Sequence, residues 1–175
     1  MLRLLLLACL AAAPAFAPAM AQAPQRTALG GLDTGAPIDF DADRIEIRDE
    51  INQAILIGGV IIRQGRLTLN ADRVTVLYTR TGPNPEMQRL NAAGRVKLVS
   101  PSETVTSNNA IYDVSGKLIT MLGNVVLRRE GSNLNGQRLV LNLTSGATSF
   151  DARSASNTSG RVSGTFIVPQ RKPAN

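Results

Sequence analysis

The stretch Ala71-Asp72-Arg73-Val74-Thr75-Val76 decides the fold, because its pattern occurs four times in the chain. The pattern is a small residue, two polar residues and an apolar residue, followed by any residue and a second apolar one. The copies begin at Ala42, Ala71, Ser107 and Gly136, so their starts are 29, 36 and 29 residues apart. This spacing indicates that one supersecondary unit is repeated along the chain.

A second repeated element, Gly-x-Val-x-aliphatic, alternates with the first. Its copies are Gly58-Gly59-Val60-Ile61-Ile62, Gly94-Arg95-Val96-Lys97-Leu98 and Gly123-Asn124-Val125-Val126-Leu127. A single unit is too short to bury an apolar face alone, so neighbouring units must stack against one another. The repeat therefore predicts one continuous architecture and not a series of unrelated loops.

Short runs of alternating apolar and polar residues predict strands through most of the chain, with no amphipathic helix of useful length. The small residue that opens each repeat is expected where a strand bends, because a bulky side chain would crowd a corner. These features predict an all-β fold, a repeat-built β-jelly roll with an open V-shaped apolar groove. A parallel β-helix is the main competitor, although its repeats are usually shorter and more even.

The N-terminus has the three parts of a secretory signal peptide. Arg3 supplies a positive charge, residues 4–13 form an apolar run, and Ala19-Met20-Ala21 is a small-x-small cleavage site. We expect a signal peptide over residues 1–21, a flexible leader over 22–36, the jelly roll over 37–168 and a tail over 169–175. A lipoprotein anchored through Cys9 is the alternative, but little apolar sequence precedes that cysteine.

The chain has few combinations of residues that could form a catalytic site. It has no histidine, and its one cysteine lies in the predicted signal peptide, so Ser-His-Asp and Cys-His arrangements are excluded. Asp39, Asp41 and Asp43 have the spacing of one strand face, but calcium needs more oxygen ligands from a shaped loop. We therefore expect no enzyme, no cofactor and no metal site.

The formal net charge of the chain is +6, from 19 basic and 13 acidic residues. Only three of the bases are lysines, and the arginines that make up the rest suit bidentate binding of phosphate or carboxylate. An exported basic protein does not meet nucleic acid, so anionic lipid or polysaccharide is the expected partner class. The net charge by itself is explained more simply by a solvated basic surface that binds no partner.

The repeated apolar positions are expected to line one face of a curved sheet. Four Phe, two Tyr and no Trp leave that interior mostly aliphatic, which suits acyl chains if the groove stays partly open. A sheet closed on an ordinary dry core is the alternative. The candidate lipid-binding residues are Thr34, Ile38, Phe40, Ile47, Val60, Ile62, Val76, Leu98, Tyr112, Leu127 and Leu141.

Several stretches in order resemble the OstA-like family of periplasmic lipopolysaccharide-transport proteins, over about residues 37–151. They are Pro37-Ile38-Asp39-Phe40, Gly58-Gly59-Val60-Ile61-Ile62-Arg63-Gln64-Gly65, Leu69-Asn70-Ala71-Asp72-Arg73-Val74, Leu122-Gly123-Asn124-Val125 and Asn135-Gly136-Gln137-Arg138-Leu139. The resemblance implies a periplasmic jelly roll that binds lipopolysaccharide and carries it towards the outer membrane as part of a protein bridge. It also implies lipid contact at Ile38, Leu98 and Tyr112, with Thr34 near the entrance.

The resemblance further implies three kinds of protein contact. These are an LptC-like inner-membrane extraction complex, an LptD-like outer-membrane assembly protein, and head-to-tail self-association. For the last, we expect the strand at 38–40 to pair with a C-terminal strand of the next copy, at 139–143 or 165–168. Such a contact does not close on itself and can propagate. A structural periplasmic or surface β-repeat protein with a closed core is the alternative function.

Overall fold

Ten strands follow one another along the chain in a computed structural model that describes residues 35–80, 82, 85–152 and 160–166. A single 3-10 turn, Asp49–Ile51, lies between the second and the third of them. The strands are β1 (Ile38–Asp41), β2 (Arg44–Arg48), β3 (Gln53–Gln64), β4 (Leu67–Thr79), β5 (Glu86–Val99), β6 (Glu103–Asp113), β7 (Leu118–Arg129), β8 (Ser132–Asn142), β9 (Thr148–Asp151) and β10 (Ser163–Thr165).

Strands β3 to β8 form an antiparallel meander in which every long strand pairs with its neighbours in sequence. Each of the five pairings between them has a register shift near its middle, for example between Asn70 and Arg73 in the pairing of β4 with β5. Shifts of this kind are β-bulges, which bend a strand and increase its twist. All six long strands therefore turn a corner at about the same level.

The corners divide the sheet into two layers. β1 pairs with the C-terminal half of β3 at 61–64, whereas β2 pairs with its N-terminal half at 53–57. At the other end, β10 pairs with β8 at 133–135 and β9 pairs with it at 138–141. We call the layer that contains β1 and β10 layer A, and the layer that contains β2 and β9 layer B.

The two repeated sequence elements form the corners. Gly94 of the Gly-x-Val element has φ +80, and Arg95 after it has φ +44, both in the left-handed region that glycine adopts most easily. The equivalent residues of β3 and β7 also have positive φ. On β4, the neighbouring strand, the small residue Ala71 is buried at the corner and Asp72 faces Gly94. The predicted bends at the small residues are thus confirmed.

Side chains from both layers meet in one hydrophobic core. Its most deeply buried members include Val74 and Met121 of layer B and Val60 and Val125 of layer A, each at most 1% exposed. The sheet does not close, since β1 and β2 at one end make no pairing with β9 and β10 at the other among the described residues. The fold is an all-β jelly roll, as predicted, and not a parallel β-helix.

The predicted signal peptide and all of the leader except residues 35 and 36 lie outside the described residues. So does the tail, together with residues 167 and 168 of the expected last strand. Within the described residues, no helix is long and apolar enough to span a membrane.

A candidate lipid-binding groove

The pairing registers show which side chains share the interior of layer A. One cross-strand row runs from β1 to β8, and each residue in it lies directly opposite the next. Its members are Phe40, Ile62, Leu69, Leu98, Val105, Leu127 and Leu134. All are apolar, so this row forms an uninterrupted aliphatic wall with an aromatic residue at the β1 end.

Layer B contributes a second apolar wall. The row nearer the corner contains Leu56, Val74, Ala92, Ala110, Met121, Leu139 and Phe150. The row farther from the corner contains Ile47, Ala54, Val76, Leu90, Tyr112, Ile119, Leu141 and Thr148. With the facing wall of layer A, these rows define an apolar groove between the layers.

A narrow cavity lies in the groove between the two walls, and it is almost entirely apolar. Its volume is about 40 Å³. Layer A contributes Ile38, Ile62, Gln64, Leu67, Leu69 and Leu98, and layer B contributes Leu90, Ala92, Ala110, Tyr112 and Ile119. The Tyr112 side chain is half-buried here, and desolvation raises the pKa of its hydroxyl above the ordinary value. The tyrosine is therefore neutral over the physiological range.

A second, wider cavity lies at the C-terminal end of the groove. Its volume is about 470 Å³, and it is lined by Leu127, Arg129, Ser132, Leu134, Thr148, Phe150 and Phe166. Layer A, layer B and the residue after β10 all contribute to it. Unlike the first cavity, it has a charged side chain and two hydroxyl groups among its lining residues.

The tip of layer A, the end farthest from the corners, has an inward-facing row of a different character. In this row Gln64 lies opposite Leu67, Ser100 is hydrogen-bonded to Glu103 across the turn, Glu103 lies opposite Arg129, and Arg129 lies opposite Ser132. Five of the six are polar, whereas the facing row of layer B is apolar except for Thr148 and the Tyr112 hydroxyl. The mouth of the groove thus has one polar lip and one apolar lip.

The two ends of the roll expose apolar side chains. At the β1 and β2 end, Phe40 is 52% exposed and Ile47 is 64% exposed. At the other end, Phe166 is 67% exposed. Phe40 and Ile47 belong to interior rows that end for lack of a further strand. At each end, therefore, apolar side chains of the interior are exposed to solvent, and they lie beside strand edges without a pairing partner among the described residues.

Nine of the eleven candidate lipid-binding residues fall on the inward-facing rows or cavity walls described above, and Val60 lies in the core near the corner. Ile38, Ile62, Leu98 and Tyr112 line the narrow cavity, and Leu127 lines the wider one. Val76 is half-buried against the core, whereas Phe40 and Ile47 are exposed at the end of the roll. Two more, Val60 and Leu141, are core residues only 1% exposed. Thr34, the eleventh, lies outside the described residues.

Sequence reasoning missed several residues that the structure brings to the groove. Leu69, Leu90 and Ile119 line the narrow cavity, and Leu134 and Phe150 line the wider one. Alternation within β4 and β7 could have found Leu69 and Ile119, because each lies two residues from another inward position. Leu134 and Phe150 precede or follow the last repeat, so the repeated pattern gave no signal for them.

The three aspartates at the start of the jelly roll do not form one face. β1 ends at Asp41, whose carboxylate forms a salt bridge with Arg63. Asp43 lies beyond the end of the strand, at the corner beside Gly58. In the part of the chain that the structure describes, no three His, Cys, Asp or Glu side chains come close enough together to hold a metal ion.

One of the two C-terminal segments expected to dock another copy is not an edge. Residues 138–141 of β8 pair with β7 on one side and with β9 on the other, so 139–143 was the wrong choice. The strands with an unpaired side at this end are β9 and β10. Only β10 overlaps the other expected segment, through Thr165.

The described residues place the chain in the class of open antiparallel β-jelly rolls with an apolar groove between two layers. The model of one family within this class, described as the LptA/(LptD N-terminal domain) LPS transport protein family, matches residues 39–147. The chain belongs to this family of lipopolysaccharide transport proteins.

The chain is also similar to individual proteins. An uncharacterized protein of Rhizobium meliloti (strain 1021) is 30% identical over 141 residues, which is 77% of this chain and 76% of that protein. The lipopolysaccharide export system protein LptA of Escherichia coli (strain K12) is 26% identical over 113 residues, 61% of this chain and 60% of that protein.

A solved structure shows the same fold. The crystal structure of LptH, the LptA-homologous periplasmic component of the lipopolysaccharide transport device of Pseudomonas aeruginosa, superposes with a TM-score of 0.67. The sequences are 17% identical, and the match covers 78% of this chain and 99% of LptH. At this identity the likeness is one of fold.

Proposed function

We propose that this chain binds lipopolysaccharide in the apolar groove between its layers and carries it across the periplasm to the outer membrane. The observation that carries the proposal is the pair of facing apolar walls that run through the roll to both unclosed ends. Family membership supports the choice of ligand, because the family is one of lipopolysaccharide transport proteins. In this role the chain performs no catalysis.

Acyl chains enter, in this proposal, by separation of the two layers at their tips. The narrow cavity of about 40 Å³ is too small for an acyl chain until the walls move apart. The walls are joined only through the corners and through side-chain contacts, so separation of their tips would make room for hydrocarbon without breaking a strand pairing. Burial of each methylene group contributes about 0.8 kcal/mol, so several partly inserted chains offset the lost contacts between the layers.

The bridge is built, we propose, from copies or partners that meet end to end. The end with Phe40 and Ile47 exposes apolar side chains, and so does the end with Phe166. The edges match by layer, since β1 and β10 both belong to layer A and β2 and β9 both belong to layer B. Strand addition at such edges supplies backbone hydrogen bonds, and the apolar ends are buried at the same time. An LptC-like protein on the inner-membrane side and an LptD-like protein on the outer-membrane side would occupy the terminal edges.

The test is binding of an anthroyloxy-labelled stearate, followed by its displacement with lipopolysaccharide, measured by fluorescence. Ile38→Asp should weaken probe binding at least about tenfold, because its carboxylate would be desolvated against hydrocarbon. Ile38 is half-buried at an edge of the narrow cavity, so the protein should keep its β-sheet circular dichroism.

Ile51→Asp is the matched control, since Ile51 is 58% exposed on the 3-10 turn outside the interior rows. It should bind the probe as the unaltered protein does. Equal binding by the two variants would contradict the groove as the site.

The second candidate function is a structural β-repeat protein with a closed core. The observation that favours it is the deep burial of Leu98, which is only 2% exposed. If the folded protein bound neither the labelled stearate nor lipopolysaccharide, that result would favour this second function.

A further inference from the structure

The polar lip of layer A contains an ion pair between Glu103 and Arg129. Arg129 Nη2 contacts Glu103 Oε1, and the two residues lie directly opposite each other on β6 and β7. Both side chains face the groove, as their row does. The pair introduces charge into an interior whose other polar side chains, chiefly those of the same row, are neutral.

Glu103 is the fixed member of this pair. Its side chain is 2% exposed, and its backbone closes the turn between β5 and β6. The Glu103 N–H donates to Ser100 Oγ at 3.2 Å, and the Ser100 N–H donates to the Glu103 carbonyl at 2.9 Å. A carboxylate buried on such a rigid turn holds the arginine opposite it in one place.

Arg129 is the accessible member. Its side chain is 45% exposed, and it lines the wider cavity of about 470 Å³. Among the described residues around that cavity it is the only charged one, with the Ser132 and Thr148 side chains as neutral polar neighbours. Leu127, Leu134, Phe150 and Phe166 supply the apolar remainder. Cation and hydrocarbon surface therefore share one concave space.

We infer that the wider cavity is a headgroup site in which Arg129 binds a phosphate group of lipopolysaccharide, with Glu103 as its positioning residue. This inference rests on the proposed function and assigns the charge recognition to one end of the groove. A guanidinium has five N–H donors, so it can keep a carboxylate and still donate to phosphate oxygens. The nearest acyl chain of the same lipid would lie against the leucine and phenylalanine side chains.

Glu103 also limits the strength of phosphate binding. Its negative charge faces the same guanidinium that the phosphate approaches, and like charges around one cation oppose each other. A carrier that must release its ligand needs such a limit. The arrangement predicts opposite effects for loss of the carboxylate alone and for loss of the whole pair.

The experiment is calorimetric titration with dodecyl phosphate and with its uncharged dimethyl ester. Glu103→Gln should bind dodecyl phosphate about threefold more tightly than the unaltered protein, because the opposing charge is removed. The double variant Glu103→Gln/Arg129→Gln should bind it about tenfold more weakly, because the charge-assisted hydrogen bonds are lost. Binding of the dimethyl ester should not change in either variant.

The double variant leaves no buried carboxylate unpaired, so it is expected to fold where Arg129→Gln alone would be destabilised. Arg128→Gln is the matched control, because Arg128 is the exposed neighbour of Arg129 on β7 and faces the opposite side of the strand. It should leave both titrations unchanged. A loss of affinity in this control as large as in the double variant would overturn the site.

Equal affinity of the unaltered protein for dodecyl phosphate and its ester would overturn this inference while leaving groove binding intact. Binding of neither compound would instead overturn the proposed function. Lipopolysaccharide should displace bound dodecyl phosphate, and displacement by phosphatidylglycerol alone would overturn the assignment of the site to lipopolysaccharide.

Discussion

The Asp72 carboxylate lies across the sheet corner from Gly94, in the place where any larger residue at position 94 would put its Cβ atom. The same carboxylate accepts hydrogen bonds from Arg95, at 2.9 Å from Nε and 2.6 Å from Nη2. The relationship recurs along the sheet, with Asp43 facing Gly58 and Asn108 facing Gly123. At these three corners a glycine on one strand therefore faces a short polar side chain of the neighbouring segment.

Replacement of Gly94 by alanine should destabilise the fold by about 1–3 kcal/mol, from the positive φ and the contact with Asp72 together. The measurement is urea unfolding followed by circular dichroism. Gly82→Ala is the control, because nothing lies within 4 Å of its Cβ position and its φ is not in the left-handed region. Equal unfolding midpoints for the two variants would contradict the role of the corner.

Truncation of Leu139 to alanine should lower the free energy of unfolding by about 2–5 kcal/mol, because it leaves a cavity in the middle of layer B. Leu139 is 1% exposed and lies opposite Met121, which is fully buried. Ile51→Ala, at a site 58% exposed, should change stability by less than about 0.5 kcal/mol in the same urea titration. A small effect at Leu139 would mean that the layers close around the missing side chain.

Introduction of a lysine at Ile47 should weaken end-to-end association without unfolding the chain. Ile47 is 64% exposed on the edge strand β2, and a charge there opposes both strand addition and apolar burial. Sedimentation should show a lower concentration-dependent mass than for the unaltered protein.

Ile51→Lys is the corresponding control, because Ile51 is similarly exposed but lies on the 3-10 turn beside the strand. Deletion of residues 162–175, which removes β10, should have the same effect as Ile47→Lys. Unchanged oligomers in both cases would place the contact elsewhere.

Asp113 should make the turn between β6 and β7 sensitive to acid. Its pKa lies below the ordinary value, first because Oδ1 accepts a hydrogen bond from the Gly116 N–H at 2.8 Å, and then because the Ser115 hydroxyl donates at 2.9 Å. A carboxylate with a depressed folded-state pKa stabilises the protein above its unfolded-state pKa. That contribution is lost as the pH falls through the folded-state value.

Urea titrations across the acid range should therefore show a shallower pH dependence for Asp113→Asn than for the unaltered protein. Asp39→Asn is a suitable control, because Asp39 is an exposed carboxylate on the edge strand β1. Identical pH profiles for Asp113→Asn and the unaltered protein would contradict the role of this turn.

The corners and the class of fold were predictable from the sequence because they depend on local chemistry. The small residue at Ala71 and the Gly94-Arg95 pair occur at fixed intervals, and a strand can bend there whatever lies beyond it. The inward positions next to these residues, such as Val74 and Val96, were predictable for the same reason. The alternation of inward and outward side chains along a strand predicts the inward positions only for a few residues on either side of each corner.

The features that depend on register across the sheet could not be read from the chain. Glu103 and Arg129 are 26 residues apart, and only the pairing of β6 with β7 brings them together. The exposure of Phe40 and Ile47 follows from where the sheet stops, which no local pattern encodes. The expected docking at 139–143 failed for a related reason, since β9 covers that side of β8.

The division of the sheet into two layers separates two kinds of motion. Every strand pairing lies within layer A or within layer B, and the layers meet through side chains and through the corners. Spreading the tips apart would break no ladder of backbone hydrogen bonds. Amide protons in the middle of β5 and β6 should thus stay protected from exchange for as long as the chain is folded. In the proposed role, the space between the two layers would open and refill many times during that period.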